Sequence, residues 1–197
     1  MKKNKLSELY GKIKTPEELL LFMQNNIKYG YLAKSGKVYH FDDILLNRDW
    51  YDNYVLESKE DILNTEFGNC FDQVELERSW FLEQDFEVKT IFIMVLLDYK
   101  NEYPTHSYLV YRDKEDGKWC YFENADFYNR GIHKFDNIND AIKYQYECYM
   151  KLLDSKGITF KEKDHIIANY YLKPKEHLTA SEYLNYVINS KNKIIRR

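Results

Sequence analysis

At 197 residues, 44% hydrophobic and 17% aromatic, the chain can fill one core, so a single domain over 1–197 is expected. Lys and Arg number 29 against 32 Asp and Glu, a net charge of −3, which gives no basic footprint for nucleic acid. The three cysteines, Cys70, Cys120 and Cys148, make neither a CxxC pair nor an even disulfide set, which points to a reducing, cytoplasmic setting.

The basic start Met1-Lys2-Lys3-Asn4-Lys5 runs into Leu6-Ser7-Glu8-Leu9 without an apolar stretch, so no secretion signal is read there. The longest apolar run, over 91–97, falls well short of the roughly 18 residues that cross a bilayer, and no membrane partner is expected. Thr15-Pro16-Glu17-Glu18 has the cap, the early proline and the acids of a helix start, with Leu19, Leu20, Phe22, Met23 and Ile27 as its buried face. That helix is predicted to end near Tyr29-Gly30. Residues 31–54 look irregular, with turn signals at Ser35-Gly36, Asp42-Asp43 and Asn47-Arg48-Asp49. Ser58-Lys59-Glu60-Asp61 resembles a capping box, so a short helix through Leu63 delivers the chain to Gly68-Asn69-Cys70.

Cys70 then opens the helix-patterned run Phe71-Asp72-Gln73-Val74-Glu75-Leu76-Glu77-Arg78. A sulfur at a helix N-terminus meets unpaired amides and the positive end of the dipole, both of which favour thiolate. Glu75, Glu77 and Arg78 are expected on an exposed helix face, with an ion pair.

Residues 88–97, apolar and β-branched, predict a strand covered on both faces, broken over 98–104. A second strand starts at Thr105 or His106. Asp113-Lys114-Glu115-Asp116-Gly117 forms a hairpin loop, and Trp119-Cys120-Tyr121-Phe122 returns into Glu123-Asn124, completing an antiparallel meander. Gly131-Ile132-His133 is predicted in a loop, a helix over 139–153, a strand over 166–172, a last helix from Thr179-Ala180-Ser181-Glu182, and a frayed basic tail over 191–197. The fold class is α+β: an antiparallel sheet packed on the helix that carries Cys70, with helical N- and C-terminal parts. Residues 158–197 are set apart as a C-terminal extension.

The hairpin places a partner beside His106. If Arg112 pairs with about Lys118, His106 faces residue 123 or 124, and directly opposite residues share one face of a sheet. Either Glu123 or Asn124 could accept from the imidazole N–H and fix its tautomer, as the third member of a triad does, and a one-residue slip exchanges them. Asp126, beyond the strand, is third choice. Cys120 and Cys148 suit buried, inert positions, and Trp50, Trp80 and Trp119 suit core packing. His40, His165 and His177 are assigned to the surface, and His133 to a structural or substrate-adjacent place rather than a catalytic one.

Gly68-Asn69-Cys70 at a helix start, His106 opening a strand, and Glu123 four residues after Trp119 resemble the transglutaminase-like superfamily, relatives of papain-type cysteine enzymes. More narrowly, Phe71 to Arg78, Pro104-Thr105-His106-Ser107, Phe122-Glu123 and Arg130-Gly131-Ile132-His133 resemble small bacterial transglutaminase-like proteins, over residues 17–143. The superfamily usually has Asp as third residue, where this chain has Glu123. The resemblance implies an α+β core in which the nucleophile's helix packs on a sheet bearing the other two residues.

The chemistry expected is acyl transfer. Cys70 thiolate attacks an amide or ester carbonyl, His106 handles the proton, and a thioester passes its acyl group to water or an amine. The oxyanion would meet the Cys70 backbone N–H, with Asn69 and Gln73 as candidate second donors. The partner is a peptide, protein or small amide substrate, and no cofactor or metal is expected. Two other readings stand beside this: a catalytically inactive transglutaminase-like binding module, and a metal site built from Cys70, His106 and Glu123.

Overall fold

The computed structural model describes residues 9, 11–40, 50–96, 104–158, 165–190 and 192–196. The turn signals at Asp42-Asp43 and Asn47-Arg48-Asp49, the break after the first long strand and the side chains of Trp50 and His165 lie outside the described residues.

Helix α1 (Pro16–Asn26) starts as the sequence predicts, with Thr15 and Glu18 closing a reciprocal capping box. It ends at Ile27, earlier than predicted, because the chain there turns extended to meet the loop before Cys70. The irregular stretch contains a small antiparallel hairpin, β1 (Gly30–Leu32) and β2 (Val38–His40), turned at Gly36 with φ of 80°. A short helix, α2 (Trp50–Asn53), leads to α3 (Lys59–Thr65), capped by Ser58 and Asp61. Then α4 (Cys70–Glu83) begins at the cysteine itself.

Strands β3 (Val88–Leu96), β4 (Thr105–Arg112) and β5 (Trp119–Glu123) form the expected meander. Gly131-Ile132-His133 belongs to a fourth strand, β6 (Gly131–Phe135), which pairs with β5 and corrects the loop assignment. Helix α5 (Ile138–Ser155) follows, then β7 (His165–Tyr171), α6 (Ala180–Ile188) and β8 (Asn192–Arg196). The six-stranded sheet is antiparallel in the order β6-β5-β4-β3-β7-β8. The C-terminal extension is thus built into the sheet, with β7 beside β3. The tail predicted to fray pairs as β8, because β7 would otherwise present an open edge.

Helix α4 packs on one face of the sheet, where Phe71, Val74, Trp80 and Phe81 meet Phe92, Leu109, Tyr111 and Phe122. Helix α5 covers the other face, where Ala141 and Ile142 meet Ile91, Tyr108, Val110 and Tyr121. Eleven of the fourteen residues of α4 are buried, because segments around Tyr54, Tyr171 and Tyr183 close over its outer side. That corrects the exposed-face expectation for Glu75, Glu77 and Arg78, which are 8%, 3% and 4% exposed. Arg78 ion-pairs with Glu75, donates to Thr90 Oγ1 at 2.7 Å and lies 4.9 Å over the Tyr171 ring, so the charge is buried with partners on three sides. No helix among the described residues is long and apolar enough to cross a membrane.

Candidate active site

The loop before Cys70 packs tightly at its glycine. A Cβ on Gly68 would stand 3.0 Å from Asp72 Cβ, so another residue would require the loop and the first turn of α4 to give by a few tenths of an ångström. Asn69 is the cap: its Oδ1 accepts from the N–H of Phe71 at 2.8 Å and of Asp72 at 3.3 Å, while Asp72 Oδ2 accepts from the Asn69 N–H at 3.0 Å. The other Asp72 oxygen accepts from the Tyr54 hydroxyl at 2.7 Å and the Glu57 N–H at 2.9 Å. Burial raises the Asp72 carboxyl to about 7 against these hydrogen bonds, and burial together with Asp72 drives Glu57 to about 9. The start of α4 is therefore pinned from several sides. Cys70 itself is 6% exposed, and its sulfur acts electrostatically on the imidazole of His106 and the hydroxyl of Tyr29.

His106 and Glu123 meet through the sheet. Arg112 pairs with Trp119, one residue later than the sequence reading supposed, and the β4–β5 ladder stops at Leu109 and Phe122. Extending that register puts His106 opposite residue 125, so Glu123 lies diagonally across on the same face and Asn124 points to the other. His106 Nε2 bonds Glu123 Oε2 at 2.7 Å, which leaves Nδ1 as the ring nitrogen that Glu123 does not engage. The imidazole is flanked by Tyr108 and Tyr149, stacked at 6.0 and 5.8 Å between ring centres.

Glu123 is fully engaged: Oε2 also accepts from the Tyr121 hydroxyl at 2.5 Å, and Oε1 from the Asp126 N–H at 2.8 Å. Burial opposes its charge, but His106 and these donors bring its pKa below the ordinary carboxylate value. Burial likewise opposes the imidazolium, and the Glu123 carboxylate overcomes it, raising His106 well above its ordinary value. Glu77, two turns along α4 and 3% exposed, is the opposite case. Burial, reinforced by Glu123, holds its carboxyl well above the ordinary range, with His106 pulling the other way.

Several candidates take other work. Asn124 donates to Gln73 Oε1 at 2.7 Å, and Gln73 donates to the Gly68 carbonyl at 2.8 Å, so the pair clamps the nucleophile's loop to the end of β5. Asp126 turns its carboxylate to Tyr128 and Asn129 in the β5–β6 connection. His133 stacks on Tyr121 at 5.7 Å and donates from Nε2 to the Asn129 carbonyl, so it backs a residue that orients Glu123. Cys120 is buried, Cys148 is half-buried on α5, and His177 is an exposed partner of Asp61. Tyr29, Tyr108, Tyr121 and Tyr149 are contacts that residue types alone did not single out; for Tyr121, strand alternation two residues before Glu123 was the available signal. Among the described residues, no three His, Cys, Asp or Glu side chains are grouped to hold a metal ion. No protein-family model, curated protein or solved structure matches the chain.

Proposed function

We propose that this protein is a cysteine-dependent acyl transferase or hydrolase of the transglutaminase-like, papain-related type, acting on a peptide, protein or small amide through a thioester. The observation that carries the reading is one buried imidazole that bonds Glu123 at 2.7 Å and feels the charge of the Cys70 sulfur at the start of α4. In this reading Cys70 Sγ attacks the carbonyl carbon while the helix start and His106 stabilise the thiolate. His106 then gives its proton to the departing amine, and the thioester is resolved by water or a second amine, with His106 taking the incoming proton. Glu123 holds the ring orientation and stabilises the imidazolium.

The catalytically inactive module is the second reading, favoured by the cover over a sulfur that is only 6% exposed. Limiting iodoacetamide, applied across pH to the native protein and to His106→Ala, separates the two. The enzyme reading expects selective alkylation of Cys70 well below an ordinary thiol pKa of about 8.5, weakened by the substitution. Equal, sluggish alkylation of Cys70, Cys120 and Cys148 would sink it.

A further inference from the structure

Arg130, first of the run Arg130-Gly131-Ile132-His133, stands where the β5–β6 connection meets the nucleophile's loop. Glu123 pairs with Gly131 in the ladder, so the residue before Gly131 comes opposite Asn124. Gly131 enters β6 with φ of 150°, a conformation that side chains rarely adopt. Arg130 Nε donates to the Asn124 carbonyl at 2.8 Å. The Asn124 side chain holds Gln73 and Gln73 holds the Gly68 carbonyl, so three hydrogen bonds lead from the guanidinium to a residue two before Cys70. A second path runs through rings. The guanidinium carbon lies 4.5 Å from the centre of the Phe127 ring, and Phe127 faces Tyr29 at 6.2 Å between ring centres. On either side of Tyr29 the backbone bonds the same loop: the Gly68 N–H donates to the Lys28 carbonyl at 3.1 Å, and the Gly30 N–H to the Gly68 carbonyl at 3.4 Å.

What this guanidinium lacks is a counter-charge. Arg78 pairs with Glu75 and Arg112 with Glu87, but among the described residues no carboxylate lies within 4.0 Å of Arg130. Glu123 and Asp126, the acids at this end of the sheet, are engaged elsewhere. Asp126 accepts from the Tyr128 N–H at 3.0 Å and the Asn129 amide at 2.7 Å, and Glu123 from His106, Tyr121 and the Asp126 N–H. The Nε bond and the Phe127 ring fix the guanidinium plane, while its two terminal amino groups meet no acceptor among the described residues. Paired N–H donors in one plane match a carboxylate, which takes two parallel bonds. The side chain is half-buried, where such a bond is stronger than in open water, and exposed Phe127 and Tyr128 stand beside it. Resting on the acyl-transfer reading of Cys70, we propose that Arg130 is a specificity-determining residue that binds a carboxylate of the substrate. The acyl donor is then an acidic peptide or amide, whose carboxylate is either a free C-terminal one or that of an acidic side chain.

Matched alkylating reagents test this on Cys70 of the full-length protein. The thiolate displaces iodide from an iodoacetyl group whatever that group carries, so a ratio of two rates in one protein cancels the reactivity of the sulfur. N-iodoacetyl-glutamine carries the α-carboxylate, N-iodoacetyl-isoglutamine the side-chain carboxylate, and N-iodoacetyl-glutamine amide neither; rates are normalised to those with N-acetylcysteine. The native protein is expected to react with at least one acid about tenfold faster than with the amide, and the favoured acid identifies the source of the carboxylate. In Arg130→Gln the ratio is expected to fall to about one, with Arg130→Lys, which keeps the charge without the fork, in between. A native ratio of one or less for both acids, or a preference that survives Arg130→Gln, would overturn the assignment. Should glutamine disturb the fold, the Arg130 Nε–H resonance of the native protein reads binding directly. N-acetyl-glutamate should move it and neutral N-acetyl-glutamine amide should not; an equal response to both would overturn the proposal. A native Cys70 that no reagent alkylates would fail the acyl-transfer reading, and the same resonance would still decide on the carboxylate site.

Discussion

Glu123 accepts from three neighbours, His106, Tyr121 and the Asp126 N–H, so its removal is felt by three groups at once. In Glu123→Gln the His106 imidazolium loses its counter-charge while its burial stays, and the ring should then titrate below its ordinary value of about 6.5 instead of above it. Side-chain NMR of the His106 ring across pH measures this directly. The same pair gives stability a defined pH window. A raised imidazole contributes stability that is full below about 6.5 and is lost as pH rises through the folded value. A depressed carboxylate contributes stability that is full above about 4.3 and is lost as pH falls through the folded value. Glu123→Gln should therefore destabilise most between about pH 4.5 and 6.5, by an amount on the order of 3 kcal/mol for one partner of a buried pair, with the gap to wild type narrowing on either side. Urea midpoints at pH 4, 5.5 and 8 give the curve, and a deficit flat with pH would contradict it.

At the scale of elements, α4 is a helix held at its first turn by buried acids. Glu57 Oε1 accepts from the Leu32 N–H at 3.0 Å and Oε2 from the Thr65 hydroxyl at 3.0 Å, so it ties the β1–β2 hairpin and α3 to the base of α4. With its carboxyl raised to about 9, the folded state keeps a proton that the unfolded chain releases near 4.3. Stability must then fall as pH rises across that interval, and Asp72 and Glu75, each raised to about 7, act in the same direction. Glu57→Gln preserves a neutral partner for both bonds and should shrink the drop in unfolding midpoint between pH 5 and pH 8. Thermal melts at the two pH values check it, and an unchanged drop would refute the role of Glu57.

Local chemistry made much of this element visible beforehand. Asn69 before Cys70, and Ser58 with Asp61, announce helix starts through caps that depend on neighbours three residues away. Alternation and the Asp113-Lys114-Glu115-Asp116-Gly117 turn announced the β4–β5 hairpin, though not its register to the residue, since a turn of that length allows either pairing. The burial of Glu75, Glu77 and Arg78 was not legible. The groups that cover them come from the next strand, as Thr90 does, and from one far along the chain, as Tyr171 does, and a charged triplet on a helix ordinarily signals solvent. Tyr29 escaped notice for the same reason: a bridge between Lys28 and Phe67 sets its backbone beside the loop before Cys70.

Over the whole molecule, β3 is flanked by β4 on one side and β7 on the other, so residues after the sequence likeness ends complete the middle of the sheet. Tyr183 and Val187 of α6 are fully buried in the same core as Phe71 and Phe92. A chain stopped after Ile158 would lack β7, β8 and α6 and leave β3 with an unpaired, apolar edge. It is expected to be insoluble or to lose its near-ultraviolet circular dichroism, whereas a soluble chain melting cooperatively would show that residues 1–158 fold alone.

The bond from Thr90 Oγ1 to the Tyr171 carbonyl joins positions 81 residues apart. During synthesis, the sulfur, the imidazole and the carboxylate all leave the ribosome well before the strand that shields β3. The nascent chain thus passes through an interval with its reactive groups made and its sheet unfinished, when a chaperone resting on β3 would matter most.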